Sequence, residues 1–248
     1  MNRLENKVSI IVGATSGIGR EMAKLFAEEG SKVVFTGRRK EQGEQIEAEI
    51  KNAGYEASFF QADSTNEDDL KKLVAFTLDK YGSIDVLCNN AGILMASELT
   101  DIDLVNEFDK MMDVNVKSYI RAMQLIIPVM QKQGGGAIVN TASIGALQAL
   151  PATVTYSVTK AAVKHMTESA AAQYIKDGIR INAILPGLTL SDMIIEGEDF
   201  EQHMAPLIPI GRTAKPREIA HGALYLASDD ASYCVGTSLI MDGGLLLE

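Results

Sequence analysis

Short apolar runs alternate along the chain with longer stretches whose apolar residues recur every three to four positions. The runs are Val8–Val12, Lys32–Thr36, Ala57–Gln61, Val86–Asn89, Ala137–Thr141, Arg180–Leu185 and Ser238–Met241. Their nearly unbroken, β-branched character predicts strands buried on both faces. Between the first two, Ile18, Met22, Leu25 and Phe26 fall at i, i+4, i+7 and i+8. That spacing marks one face of a helix, and the helix should stop at Gly30, a residue suited to the left-handed turn at a helix end. The same pattern predicts helices over Lys40–Ala53, Asn66–Lys80, Asp103–Gln131, Tyr156–Lys176 and Pro216–Ala227. Strands alternating with helices in this way predict an α/β fold: a doubly wound, seven-stranded parallel sheet with helices on both faces. No repeat or linker-like segment divides the chain, so 1–248 reads as one domain. In such a sheet ligands bind beyond the carboxyl ends of the strands, so chemically active residues should follow the strands directly.

Composition narrows the partners. The 23 Lys and Arg against 33 Asp and Glu give a net charge of −10, which opposes binding to nucleic acid or an anionic membrane surface. The two cysteines, Cys88 and Cys234, cannot form a disulfide framework, and Cys88 reads as a small buried hydrophobe. His165, His203 and His221 are not spaced as metal ligands. The apolar run near the N-terminus is too short for a signal-peptide core or a membrane span. A cytoplasmic protein with a small-molecule partner and no metal is expected.

The first strand is followed by Gly13-Ala14-Thr15-Ser16-Gly17-Ile18-Gly19 and then at once by a helix. Glycines there permit a tight turn and close approach of backbone to a pyrophosphate, and the helix N-terminus offers free N–H groups. The second strand runs into Gly37-Arg38-Arg39. NAD-binding chains place an acid about there for the ribose 2′-hydroxyl. Glycine followed by two guanidiniums suits a 2′-phosphate instead. One charge-assisted hydrogen bond of about 1.5–3 kcal/mol amounts to roughly 10- to 150-fold preference for NADP(H). Tyr156 and Lys160 form a Y-x-x-x-K pair on one helix face. A nearby ammonium should pull the phenol down from its ordinary value of about 10 toward operating pH.

These motifs, in this order from Lys7 to Gly244, resemble the short-chain dehydrogenase/reductase family of classical type, with a Rossmann-type fold. The turn departs from the family pattern at Val12, where a threonine is usual, and so lacks one hydroxyl hydrogen bond. The resemblance implies that Asp63, beside Ser64, meets the adenine. It also implies that Asn89-Asn90-Ala91-Gly92 places Asn90, Ala91 and Gly92 along the adenine ribose, with Asn89 bracing the sheet. Pro186, Gly187 and Thr189 would lie beside the nicotinamide. Tyr156 would exchange a proton with a carbonyl oxygen that Ser143 orients. Lys160 would tune the tyrosine and hold the ribose, and Asn115 would hold a water that connects Lys160 to solvent. The implied activity is interconversion of a ketone and a secondary alcohol with NADP(H), NAD(H) being the alternative. The implied assembly is a homotetramer paired through Asp103–Gln131 and Tyr156–Lys176, with Ala161, Ala162, Ala170, Ala171 and Ala172 permitting close approach. The same alanines could equally pack on the chain's own sheet.

A substrate lid is expected over 188–211. Its apolar residues Met193, Ile194, Ile195, Met204, Leu207 and Ile208 suggest a hydrophobic, steroid-like or other cyclic substrate, and the acids Asp192, Glu196, Glu198, Asp199 and Glu201 would repel an anion if they face inward. His203 is a further candidate substrate contact. Alternatives are an NAD-preferring dehydrogenase, a ketoacyl-carrier-protein reductase, which would want a basic docking patch, and a nucleotide-binding regulator without catalysis. A serine hydrolase is disfavoured because Thr141-Ala142-Ser143-Ile144-Gly145 lacks the first glycine of a nucleophile elbow.

Overall fold

The computed structural model describes residues 2–151, 153–190 and 198–247. Seven strands form one all-parallel sheet: β1 (Val8–Val12), β2 (Lys32–Gly37), β3 (Ala57–Gln61), β4 (Val86–Asn89), β5 (Gly136–Thr141), β6 (Ile179–Pro186) and β7 (Ser238–Met241). The order across the sheet is β3-β2-β1-β4-β5-β6-β7, and its direction reverses between β1 and β4. That reversal opens a crevice at the carboxyl ends of those two strands. The register aligns Val12 with Asn89 and Asn89 with Asn140, so the three strand ends finish level.

Alternate residues of each strand face opposite sides, and the core divides accordingly. Ile11, Val33, Phe35, Cys88, Val139 and Ile184 pack against α1 (Gly17–Glu28), α2 (Lys40–Asn52) and, farther along the chain, Pro216–Ala227. Ile10, Val12, Val34, Leu87, Ile138 and Ile181 pack against α3 (Glu67–Tyr81), the helix Ser118–Gln133 and the helix Val154–Tyr174. Helices end where the chain provides for it. Gly30, just beyond α1, has φ +89°, and Gly82 after α3 has φ +79°, both in the left-handed region that glycine enters without strain.

The expected strands are all present to within a residue at either end. The single helix expected over Asp103–Gln131 is not uniform. It opens with a π-helical segment, Leu104–Asp109, capped by the Asp103 carboxylate, and passes through a short α-turn, α4 (Lys110–Met112). A second π-helical segment, Asp113–Lys117, precedes α5 (Ser118–Gln133). The helix that carries Tyr156 and Lys160 is α6 (Val154–Tyr174), extended by a 3₁₀ turn over Ile175–Asp177. A short helix α7 (Glu198–Met204) and the helix α8 (Pro216–Ala227) complete the chain's helices among the described residues. None of them is long and apolar enough to cross a membrane. Of the alanines noted on α6, Ala171 lies in the chain's own core, Ala162 and Ala170 are half-buried, and Ala161 and Ala172 are exposed.

Candidate active site

A cleft of about 820 Å³ lies over the carboxyl ends of the strands, within the range usual for a bound cofactor or drug-sized ligand. One end is made of turns. Gly13 has φ +83°, and a Cβ there would stand 2.5 Å from the Ala91 Cα. Only a glycine therefore lets the turn after β1 meet the turn after β4. A Cβ on Gly19 would stand 2.2 Å from the Gly13 carbonyl oxygen, which explains why that position carries no side chain, and Gly19 itself is not on the cleft wall. Asn90 Nδ2 donates to that same carbonyl at 2.8 Å, and Asn90 Oδ1 accepts from Thr141 Oγ1 at 3.2 Å. Asn89 braces the sheet as expected, donating through Nδ2 to Asn140 Oδ1 at 2.9 Å. Helix α1 opens at Ser16 without a side-chain cap and with no acid in its first turn. Its first N–H groups have no partner within the helix, and Ser16, Gly17 and Ile18 line the cleft.

Thr15, Arg38, Arg39, Asp63, Ser64, Ala91 and Gly92 share that end of the wall. Arg39 Nε donates to Thr15 Oγ1 at 3.3 Å. A Cβ on Gly37 would stand 2.6 Å from Thr15 Cγ2 and 2.8 Å from its Oγ1, so the strand end is bare because Thr15 occupies the space. Asp63 Oδ1 accepts from the Thr65 N–H and hydroxyl, at 2.9 and 2.8 Å. The cap of α3 is Asn66, whose side chain accepts from the Asp68 and Asp69 N–H groups.

Ser143, Tyr156 and Lys160 meet at the other end, with Pro186, Gly187 and Thr189 beside them. Ser143 follows β5 and accepts from the Gly145 N–H at 3.1 Å. The Lys160 ammonium is buried, lies 5.6 Å from the centre of the Tyr156 ring and donates to the Thr141 carbonyl at 2.9 Å. Burial lowers the Lys160 amine from the usual lysine value to about 8. The expectation of a lowered Tyr156 needs correction for this structure. Burial pushes its phenol up, and the neighbouring Ser143 hydroxyl opposes that only partly, because the ammonium rests on a carbonyl and not on the phenol oxygen. Asn115 lies off the cleft wall, fully buried. Its Oδ1 accepts from the Ile93 N–H at 2.8 Å, while Nδ2 donates to the Ile93 carbonyl at 2.9 Å and to Thr159 Oγ1 at 3.0 Å. It sits in the second π-helical segment, a local widening that often marks functional positions. Thr189 Oγ1 donates to the Gly187 carbonyl at 3.1 Å.

Leu94, Gln148, Leu150, Leu188, Met204, Leu207 and Leu245 also line the cleft. Of the expected lid residues, Met204 and Leu207 face the cleft, whereas Ile208 is buried against the turn at Gly243. Glu201 turns to the chain itself and accepts from Thr213 Oγ1 at 2.8 Å. His203 is not on the wall. Asp192, Met193, Ile194, Ile195 and Glu196 lie outside the described residues, as do the side chains of Glu198 and Asp199. The sequence reading missed Thr141, whose contribution is a backbone carbonyl, and Leu94, Gln148, Leu150 and Leu245, which reach the cleft only through the fold.

The donors at one end suit a dinucleotide: unpartnered helix N–H groups and a bare turn for pyrophosphate, and two guanidiniums at the end of β2. A phenol and an ammonium one helical turn apart stand at the other. Together they define a nicotinamide-dependent oxidoreductase site. Residues 13–246 match the family described as enoyl-(acyl carrier protein) reductase. The chain is 37% identical to an A-factor type gamma-butyrolactone 1′-reductase (1S-forming) of Streptomyces virginiae, covering 98% of this chain and 97% of the relative. It is 36% identical to the 7alpha-hydroxysteroid dehydrogenase of Bacteroides fragilis, covering 100% and 97%. The crystal structure of a short-chain type dehydrogenase/reductase from Mycobacterium marinum superposes with a TM-score of 0.94 at 31% identity, over 99% of this chain and 97% of that one. The chain belongs to the short-chain dehydrogenase/reductase family and is an oxidoreductase that uses a nicotinamide cofactor.

Proposed function

We propose that the protein is an NADP(H)-dependent oxidoreductase that interconverts a ketone and a secondary alcohol on a hydrophobic, cyclic substrate. The observation that carries this reading is that one cleft holds Arg38 and Arg39 at one end and Ser143, Tyr156 and Lys160 at the other. The guanidiniums would hold a 2′-phosphate, and the uncapped start of α1 would hold the pyrophosphate. A nicotinamide dinucleotide, when bound, supplies or accepts the hydride. In the reductive direction Tyr156 gives its proton to the carbonyl oxygen, and Ser143 donates a hydrogen bond to that oxygen and orients it. The Lys160 ammonium stabilises the phenolate that is left, which brings the phenol back toward neutrality from the value that burial alone imposes. Asn115 fixes Ile93 and Thr159, and so the backbone around the reacting groups. Oxidation reverses each step. Leu94, Leu150, Leu188, Met204, Leu207 and Leu245 favour an apolar substrate body, in keeping with the hydroxysteroid named for one relative.

Titration of the protein with NADPH and NADH, followed by nicotinamide fluorescence, tests the cofactor. Binding of NADPH at least tenfold tighter is expected, and Arg38→Ala should weaken NADPH far more than NADH. Equal losses would remove the phosphate role from Arg38. Cyclic ketones should then be reduced with NADPH, and failure of every cyclic and linear ketone in folded, NADPH-binding protein would overturn the substrate reading. A cytoplasmic homotetramer completes the proposal. The unpaired thiols suit the compartment, and the exposed Leu104, Val105 and Val158 along the π-segment and α6 suit pairing between subunits.

A further inference from the structure

We propose that Tyr119 is a positioning residue for this reaction. It sets a ring face beside the Lys160 ammonium and, through its hydroxyl, shares and so limits the carbonyl on which that ammonium rests. Tyr119 stands at the start of α5 and is wholly buried. Its hydroxyl donates to the Thr141 carbonyl at 3.3 Å, and Lys160 Nζ donates to the same oxygen at 2.9 Å. A carbonyl oxygen has two lone pairs and accepts both. The ammonium also lies 5.9 Å from the centre of the Tyr119 ring and 5.6 Å from that of Tyr156, within the reach of cation–π attraction. An ammonium taken out of water normally has a carboxylate partner. Among the described residues Lys160 has none, so the shared carbonyl and the two rings are what hold the charge.

Among the described residues the Lys160 ammonium has the Thr141 carbonyl as its hydrogen-bond acceptor and the rings of Tyr119 and Tyr156 at 5.9 and 5.6 Å. From α5 comes Tyr119, whose phenol is pushed far up by burial and stays a donor at every working pH. From its own helix comes Tyr156, one turn earlier. From the end of β5 comes the Thr141 carbonyl. The second π-segment reaches α6 through the neutral amide of Asn115, on Thr159. The buried cluster in which Tyr119 packs, with Val116, Ala142, Val163, Ala183 and Leu185, is otherwise apolar. Tyr119 therefore acts on the proton chemistry without touching substrate.

The inference rests on the reading of Lys160 given above, so its test is made first without turnover. Protein carrying 13C-labelled lysine is titrated by NMR, with Lys160→Arg used to assign the signal. Tyr119→Leu removes the ring and the hydroxyl, and the Lys160 midpoint should fall by about 0.5–1 pH unit. Tyr119→Phe keeps the ring but leaves the carbonyl to Lys160 alone, so the midpoint should rise by a few tenths. Equal shifts in the two variants, no shift in Tyr119→Leu, or a fall or no change in Tyr119→Phe would each overturn the proposal. Tyr119→Phe decides it alone if the leucine variant does not fold. In turnover the alkaline limb of ketone reduction should move with the NMR midpoint, which lowers the rate at a fixed pH on that limb about 3- to 10-fold in Tyr119→Leu. A merely structural tyrosine would change the yield of folded protein and leave the limb in place. NMR shifts as expected in a protein that reduces no ketone would sink the proposed function and leave the hold of Tyr119 on the Lys160 charge standing.

Discussion

Gly37→Asp places an acid where NAD-binding sheets carry one, and the structure says that it will not work alone. The new Cβ would stand 2.6 Å from Thr15 Cγ2 and 2.8 Å from Thr15 Oγ1. Rotation of Thr15 about its Cα–Cβ bond exchanges those atoms but leaves its Cβ at 3.2 Å, so the turn itself must give. Overpacking of this kind costs about 1–3 kcal/mol, and each kcal/mol lowers Tm by roughly 2–4 °C in a chain of this length. The single variant should therefore melt about 2–12 °C lower. Its carboxylate, beside Arg38, should weaken NADPH by tenfold or more, yet give no gain in NADH because the displaced turn is also the one proposed to hold the pyrophosphate. Thr15→Ala removes both offending atoms. The double variant should recover most of the lost Tm and bind NADH about tenfold tighter than the parent, the effect of one charge-assisted hydrogen bond. Thermal melts and paired NADH and NADPH fluorescence titrations measure both effects. A Gly37→Asp protein as stable as the parent that binds NADH as tightly as the double variant would refute the steric argument.

Tyr156→Phe should bind the cofactor normally and lose about 10²- to 10⁴-fold in turnover, the range of general acid–base catalysis; near-normal kcat would remove the proton role. Lys160→Met should abolish most activity yet stabilise the fold, since a buried amine held near 8 favours its neutral form. The unfolded chain then binds more protons between about 8 and 10.5, so the destabilisation by the native lysine is full below about 8 and fades as pH rises toward 10.5. The gain in the methionine variant should be on the order of 3 kcal/mol at pH 7 and close to nothing near pH 10.5 by chemical denaturation; a constant difference would contradict the burial argument. Asn90→Ala breaks its bonds to the Gly13 carbonyl and to Thr141. It should lower both cofactor affinity and kcat, whereas an effect on affinity alone would show that the two ends of the cleft are not coupled.

What the sequence made legible follows from how local each signal is. The strands could be read because burial on both faces leaves nearly pure apolar runs, and the phosphate turn because glycine is required where Gly13 meets Ala91. The apolar period of 103–131 could be read as helix, but not its two π-segments. The second accompanies the pairing of Asn115 with the backbone of Ile93 on a distant loop, and no residue type announces that. Gly37 was legible as a missing acid, while the reason for its bareness, Thr15 across the turn, was not. The sign of the Tyr156 shift was the largest departure. The Y-x-x-x-K spacing speaks of an ammonium nearby, but burial is a property of the closed fold, and in this structure it outweighs an ammonium that faces a carbonyl.

That departure also bears on how the site works. The Thr141 residue joins the two ends of the cleft, its hydroxyl bonded to Asn90 and so to the glycine turn, its carbonyl bonded to Lys160 and Tyr119. A buried ammonium that rests on a neutral carbonyl is weakly held, which is the condition for it to turn toward a developing phenolate without breaking an ion pair first. An Asp or Glu in place of that carbonyl would neutralise the charge on which the role proposed for Tyr156 depends. The absence of an acid beside Lys160 among the described residues is therefore as much a part of the proton chemistry as the lysine itself, just as the absence of an acid at position 37 is part of the case for a phosphate at the other end.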